Sequence, residues 1–223
     1  MKAKKIGLIH TSATLVPMFQ QLCQAKLPGV ATFNIVDDSL IKDVIVAGRL
    51  TPQVARRVAG HVAAAGEAGA ELILVTCSSI GRAVEASSSF SDVPVLRVDQ
   101  PMADAAVAAG RRIGVVATLA TTMEPTADLI RRRAASAGKE VEVTARLCEG
   151  AFEALMSGNT AKHDESVRAA LEELSGKVDV IVLAQASMAR VADAIPAGSR
   201  RVPIMASPPL AIDHLAALFA AQA

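Results

Sequence analysis

Cys77 closes an apolar, β-branched run, ELILVTCSSIG (Glu71–Gly81), and two serines follow it at once. A thiol at such a turn from strand to helix is placed to meet a ligand, because open α/β sheets gather ligands at the carboxyl ends of their strands. It would feel the positive end of the following helix, an effect of about 0.3–1 kcal/mol and ~2 kcal/mol when partly buried. That is about one pKa unit. From a reference near ~8.5, the resting group is expected to be mostly thiol, able to give a proton as readily as take one. The bland alternative is a small buried hydrophobe. Cys23 and Cys148 lack a strand-to-helix turn and read as structural.

A near-copy of this segment recurs about 108 positions later as DVIVLAQASMA (Asp179–Ala189), laying Gln185 on Cys77 and Ser187 on Ser79. Lys4–Val16 (KKIGLIHTSATLV) matches Arg111–Met123 (RRIGVVATLATTM) at the same shift, and Val93–Ala103 (VPVLRVDQPMA) matches Val202–Ala211 (VPIMASPPLA) within one residue. Three matches in one order predict a duplicated α/β unit, and the long period excludes a solenoid of short repeats. Equivalent strand ends, with Cys77 on one and Gln185 on the other, are then expected to face one cleft.

Other strand ends are rich in hydroxyls: Thr11 and Ser12 after the first strand, Thr118, Thr121 and Thr122 after the fifth. Hydroxyls with free N–H groups at helix starts suit a carboxylate, although N-caps use the same residues. His10 ends the first strand and reads equally as a cleft acid or base and as a core histidine. His61 and His214 fall on helices and read as packing or surface. His163 precedes Asp164 in an expected loop after Gly158, where it could serve a substrate lid. No HxxxH, CxxC, GxGxxG or P-loop pattern is present, so neither a metal nor a nucleotide cofactor is implied.

The elements that must position these residues are legible as short, continuous apolar strands at Ile6–His10, Thr32–Val36, Leu72–Thr76, Val93–Val98, Ile113–Ala117, Val141–Ala145, Val178–Leu183 and Val202–Ala206. Continuity rather than alternation predicts strands buried on both faces. Helical stretches include Thr51–Ala70, which opens with an N-cap threonine and proline, Ser166–Leu174 and Pro209–Ala221. Alternating β and α units predict parallel sheets with right-handed crossovers. We expect an α/β fold of two pseudo-symmetric lobes, 1–100 and 101–207, each a four-stranded parallel sheet flanked by helices. The last helix, 208–223, is expected to pack back on the first lobe.

Composition narrows the function. The net charge of +1 gives no nucleic-acid surface, and Arg131–Arg133 reads as a solvated helix face. Absence of Trp and Tyr removes the stacking platforms of single-strand binders. No apolar run reaches membrane-spanning length, and Lys2, Lys4 and Lys5 lead into a strand too short for a signal-peptide core. Three cysteines with unrelated flanks fit a reducing compartment. A cytoplasmic protein, and a homo-oligomer, is expected.

The duplicated lobes, VTCSSIG and GVVATLATT together resemble the aspartate/glutamate/hydantoin racemase superfamily over essentially the whole chain. The resemblance implies an enzyme without cofactor, in which one cysteine at each pseudo-equivalent strand end moves the substrate's α-proton. It maps the first motif onto Cys77, Ser78 and Ser79, and the carboxylate-binding hydroxyls onto Thr118, Thr121 and Thr122. The second motif, normally Gly-Cys-Thr, falls on Ala184, Gln185 and Ala186, so the second cysteine is replaced. An amide neither gives nor takes a proton usefully near neutral pH, so two-thiol racemisation is not expected. The expectation is a single-cysteine isomerase for a small carboxylate or carbonyl substrate, with Gln185 orienting a substrate oxygen. A lyase or decarboxylase on the same scaffold is the first alternative, and a non-catalytic small-molecule binder the second.

Overall fold

The computed structural model describes residues 4–221. The chain packs as two compact units, one running to Gln100 and resuming at Pro208, the other Pro101–Ser207.

In the first unit, β1 (Lys5–His10), α1 (Val16–Lys26), β2 (Ala31–Val36), α2 (Ser39–Ala47), α3 (Pro52–Glu67), β3 (Leu72–Val75), α4 (Gly81–Ser88) and β4 (Val95–Arg97) follow in order. The sheet is parallel with order β2-β1-β3-β4, and Ile6 stands opposite both Thr32 and Leu72. Side chains alternate across it, so Ile9, Ile73 and Val75 meet α2 and α3 on one face. Ile6, Leu8, Leu72 and Leu74 meet Phe19 and Cys23 of α1 on the other face, with Ile212 and Leu215 of the last helix. Helix α3 forms because Val54, Val58, Val62 and Ala65 make one buried stripe. The Thr51 hydroxyl accepts from the Val54 N–H and Pro52 presets the first turn. Gly7 lets this helix approach, since a Cβ there would meet Ala65 at 3.2 Å and Phe33 at 3.1 Å.

The second unit repeats the plan. After α5 (Gln100–Ala109) come β5 (Arg112–Ala117), α6 (Ala120–Ser136), β6 (Glu142–Leu147), α7 (Ala151–Met156), α8 (Thr160–Ser175), β7 (Val180–Leu183), α9 (Ala189–Asp193) and β8 (Ile204–Ala206). The last helix, α10 (Ser207–Ala220), leads back to the first unit. The sheet is again parallel, in order β6-β5-β7-β8. Val116, Ile181 and Leu183 pack on Val167, Leu171 and Leu174 of α8 and Val191 of α9. At the amino-terminal edge the Asp179 carboxylate accepts from the N–H groups of Arg111 and Arg112 at 3.0 and 2.9 Å and from the Arg112 guanidinium.

All eight expected strands are present with ends shifted by up to two residues. One expectation is corrected: β2 and β6 are not buried on both faces, and several of their side chains reach solvent. Each is the outer strand of its sheet, and a continuous apolar run does not distinguish an edge from a centre. Among the described residues no helix is long and apolar enough to cross a membrane.

Candidate active site

In the first unit Cys77 lies two residues past the end of β3 and caps the single 3-10 turn Ser78–Ile80 that leads into α4. The Thr11 hydroxyl, the Ser79 hydroxyl and the N–H groups of Ser79 and Ile80 all face its sulfur. The residue is half-buried. Burial pushes the thiol up from its ordinary pKa, outweighing these donors. The downward shift expected from the helix dipole is therefore corrected: desolvation of the thiolate is the larger effect. Ser78 and Ser79 are buried beside it. Cys23 and Cys148 are buried in the cores, and burial raises Cys23 to about 11.

His10 is fully buried with both ring nitrogens engaged. Nδ1 lies 2.8 Å from the Thr76 hydroxyl and Nε2 3.0 Å from Asn34 Oδ1. Nε2–H can donate to Asn34 Oδ1, Nδ1 faces the Thr76 hydroxyl, which also donates to the Ile9 carbonyl at 3.2 Å, and burial lowers the ring's pKa. His10 thus ties the ends of β1, β2 and β3 together and packs on Phe19. Of the two readings the sequence allowed, the core histidine fits this geometry. Ser12 is less enclosed and shares a hydrogen bond with Thr14.

Sequence reasoning missed the support beneath Cys77. Arg97, buried at the end of β4, donates to both oxygens of fully buried Asp99 at 2.9 and 2.7 Å, and to Glu85 at 2.6 Å. Its guanidinium lies against Gly81, where a Cβ would stand 2.2 Å from Arg97 Cζ. Only glycine lets α4 start there, four residues past the thiol. A charged side chain inside an apolar strand run was the available signal. Also missed was Asp37, just beyond β2, which accepts from Ser39, from Arg57 at 2.6 Å and from His61 at 2.8 Å.

In the second unit the equivalent strand ends are joined by Gln185. Its Oε1 accepts from the Thr118 N–H at 2.6 Å, and its Nε2 donates to the Thr118 hydroxyl at 2.7 Å. One amide N–H remains. Thr122 is buried, while Thr121, Ser187 and Ala186 are half-buried. Among the described residues two buried side-chain polar atoms lack a hydrogen-bond partner, Thr121 Oγ1 and His163 Nε2. Each such atom costs about 1–3 kcal/mol. Pro125 in α6 also has no N–H to give the Thr121 carbonyl.

His163 is not in a loop, as expected, but in the first turn of α8, which Asn159 caps by accepting from the Lys162 N–H. The helix begins six residues earlier than the apolar periodicity indicated, since its first turn is polar. His163 is fully buried, with Nδ1 2.8 Å from Asp164 Oδ1. Arg190 of α9 pairs with the other Asp164 oxygen.

A recess of about 480 Å³ lined by Arg168, Glu172, Arg200 and Arg201 lies beside the start of β8. It is at the amino-terminal edge of its sheet and touches none of the candidate residues, so it is a feature separate from the Cys77 and Gln185 strand ends. Among the described residues no group of three metal-ligating side chains assembles.

Comparison with known proteins agrees with the fold. The chain superposes on a glutamate racemase of Bacillus anthracis with TM-score 0.73 at 17% identity, covering 100% of this chain and 84% of that one. For an aspartate racemase of Picrophilus torridus the values are 0.74 and 12%, covering 96% and 94%. For an allantoin racemase of Klebsiella pneumoniae they are 0.66 and 20%, covering 98% and 89%. At these identities the likeness shows the fold. No curated protein sequence matches the chain. The sequence pattern of one family, Asp/Glu/Hydantoin racemase, matches residues 6–215, and the chain belongs to that family.

Proposed function

We propose that this protein is a cofactor-independent isomerase that moves a proton at a carbon beside a carboxylate or carbonyl, with Cys77 as the proton-carrying group. The observation that carries this reading is the setting of the Cys77 sulfur: burial keeps it a thiol, while two hydroxyls and two N–H groups converge on it. The thiolate form, met by donors already in place, takes the proton as the substrate C–H bond breaks and leaves an enolate, and the thiol so formed returns a proton to the enolate carbon. Ser78 and the second-unit hydroxyls Thr118, Thr121 and Thr122 are assigned to the substrate's oxygens.

Gln185 has a narrower role in this reading than the sequence suggested. With one end of its amide given to the Thr118 N–H and the other to its hydroxyl, it holds the ends of β5 and β7 in register and offers one remaining N–H to a substrate oxygen. Family membership and the racemase-like fold support proton transfer over other chemistry.

The test is a panel of small dicarboxylates, amino acids, hydantoins and hydroxy- or oxo-acids incubated in deuterated water and followed by NMR. Exchange or isomerisation that disappears in Cys77→Ser, with the fold retained, is the expected result. Turnover by Cys77→Ser at the wild-type rate overturns the assignment.

A further inference from the structure

We propose that His163, backed by Asp164, is the acid–base group of the second unit and does there what a second thiol would do. This rests on the reading that the substrate engages that unit's strand ends. Helix α8 lies between parallel strands β6 and β7, so it must start at the carboxyl edge of the sheet and run back. His163 sits in that first turn, at the edge that also carries Thr118, Gln185 and Thr121.

The hydrogen bonds fix which ring nitrogen is free. Asp164 accepts from His163 and Arg190, and those partners hold its carboxyl below the ordinary range, against the opposing effect of burial. An ionised carboxylate can only accept, so the neutral ring carries its hydrogen on Nδ1, donated to Asp164 at 2.8 Å. Arg190 lies 3.3 Å from Nδ1 but is a donor itself and belongs to Asp164. Nε2 is left as a buried lone pair with no partner. A carboxylate orienting an imidazole from behind is the arrangement of a general base. His10, in contrast, has both nitrogens engaged. Both orphaned polar atoms among the described residues, Thr121 Oγ1 and His163 Nε2, belong to the first turns of helices that start at this one edge.

In the step proposed, a C–H or O–H bond of the substrate breaks and its electron pair stays on the substrate. The proton goes to Nε2, giving an imidazolium whose Nδ1–H remains on Asp164, and Nε2 returns a proton before product leaves. The chain then has two unlike proton-transfer groups, where its sequence shows only Cys77.

The ligand-independent test uses diethyl pyrocarbonate, which acylates a free imidazole nitrogen, with each histidine followed by peptide mass spectrometry. His163 and His10 are both fully buried, so His10 is the internal reference. Acylation of His163 at least tenfold faster than His10 is expected; a rate equal to or below that of His10 overturns the proposal. A second test follows α-proton exchange in deuterated water for the best compound of the panel. His163→Gln is expected to lower it about 100-fold and remove one limb of the pH profile, with Cys77 alkylation by iodoacetamide unchanged and folding checked by thermal melting. Exchange within about twofold of wild type overturns the proposal. A compound that fails to protect Cys77 from alkylation counts against the reading of the site, whereas one that protects Cys77 but leaves His163 acylation unslowed counts against His163.

Discussion

Gln185 grips Thr118 through both ends of its amide, by contacts of 2.6 and 2.7 Å. In the first unit the equivalent pair is Thr11 and Cys77, joined through the sulfur. Both units thus tie the end of their first strand to the end of their third at matching positions. One tie uses a titratable atom and the other does not.

Removing the amide tie has a measurable cost. Gln185→Ala is expected to lower the free energy of unfolding by about 1–2 kcal/mol, the range for losing hydrogen bonds and leaving a partner unmet. Urea denaturation checks it. An unchanged midpoint would mean the Thr118 contacts contribute nothing.

Gly81→Ala places a Cβ against an Arg97 side chain that Asp99 and Glu85 hold in place. The expected loss is about 1–3 kcal/mol, as for other overpacked sites, with altered alkylation of Cys77. The double variant with Arg97→Ala should show non-additive losses, since the two positions touch.

Acid should destabilise the protein through its paired carboxylates. Asp37, Asp164 and Asp179 all have pKa values below the ordinary range: Asp37 and Asp164 through their hydrogen bonds despite burial, and Asp179, at about 2, chiefly through Arg112. A depressed folded pKa contributes stability above the unfolded value of ~3.9 that is lost as pH falls through the folded one. Unfolding midpoints should therefore decline from about pH 4 downward, and Asp179→Asn should flatten the part of that decline near pH 2. On the alkaline side the sign reverses. Cys23, raised to about 11, contributes stability that is lost as pH rises from the ordinary thiol range toward that value.

Cys23→Ala and Cys148→Ala should leave turnover on any substrate unchanged, since both side chains lie in the cores. Each should cost about 1 kcal/mol, on the order of one buried methyl. Loss of turnover in either folded variant would point to a second functional thiol.

Much of this architecture was legible because β-branched runs and their repeat are properties of the chain read in order. Cys77 stood out because its strand end and following serines are contiguous. The ties that give it meaning were not legible. Thr11 and Cys77 come together only because β1 and β3 are neighbours in the sheet, and Arg97 meets Gly81 only because β4 lies beside β3. His163 was hidden for another reason. The first turn of α8 is capped by Asn159 rather than announced by apolar spacing, so periodicity began the helix too late. Edge strands β2 and β6 were misread because burial on the second face depends on strand order, which a single run does not encode.

Alkylation by iodoacetamide across pH tests most directly whether Cys77 is a protonated, donor-lined thiol open to substrate. Mass spectrometry of the three cysteine peptides should show Cys77 modified faster than Cys23 and Cys148 at every pH. Its rate should climb as pH rises past the ordinary thiol range rather than level off near neutrality, and a bound small carboxylate should slow it. Modification of Cys77 no faster than Cys23, or a rate already at its plateau at neutral pH, would contradict that assignment.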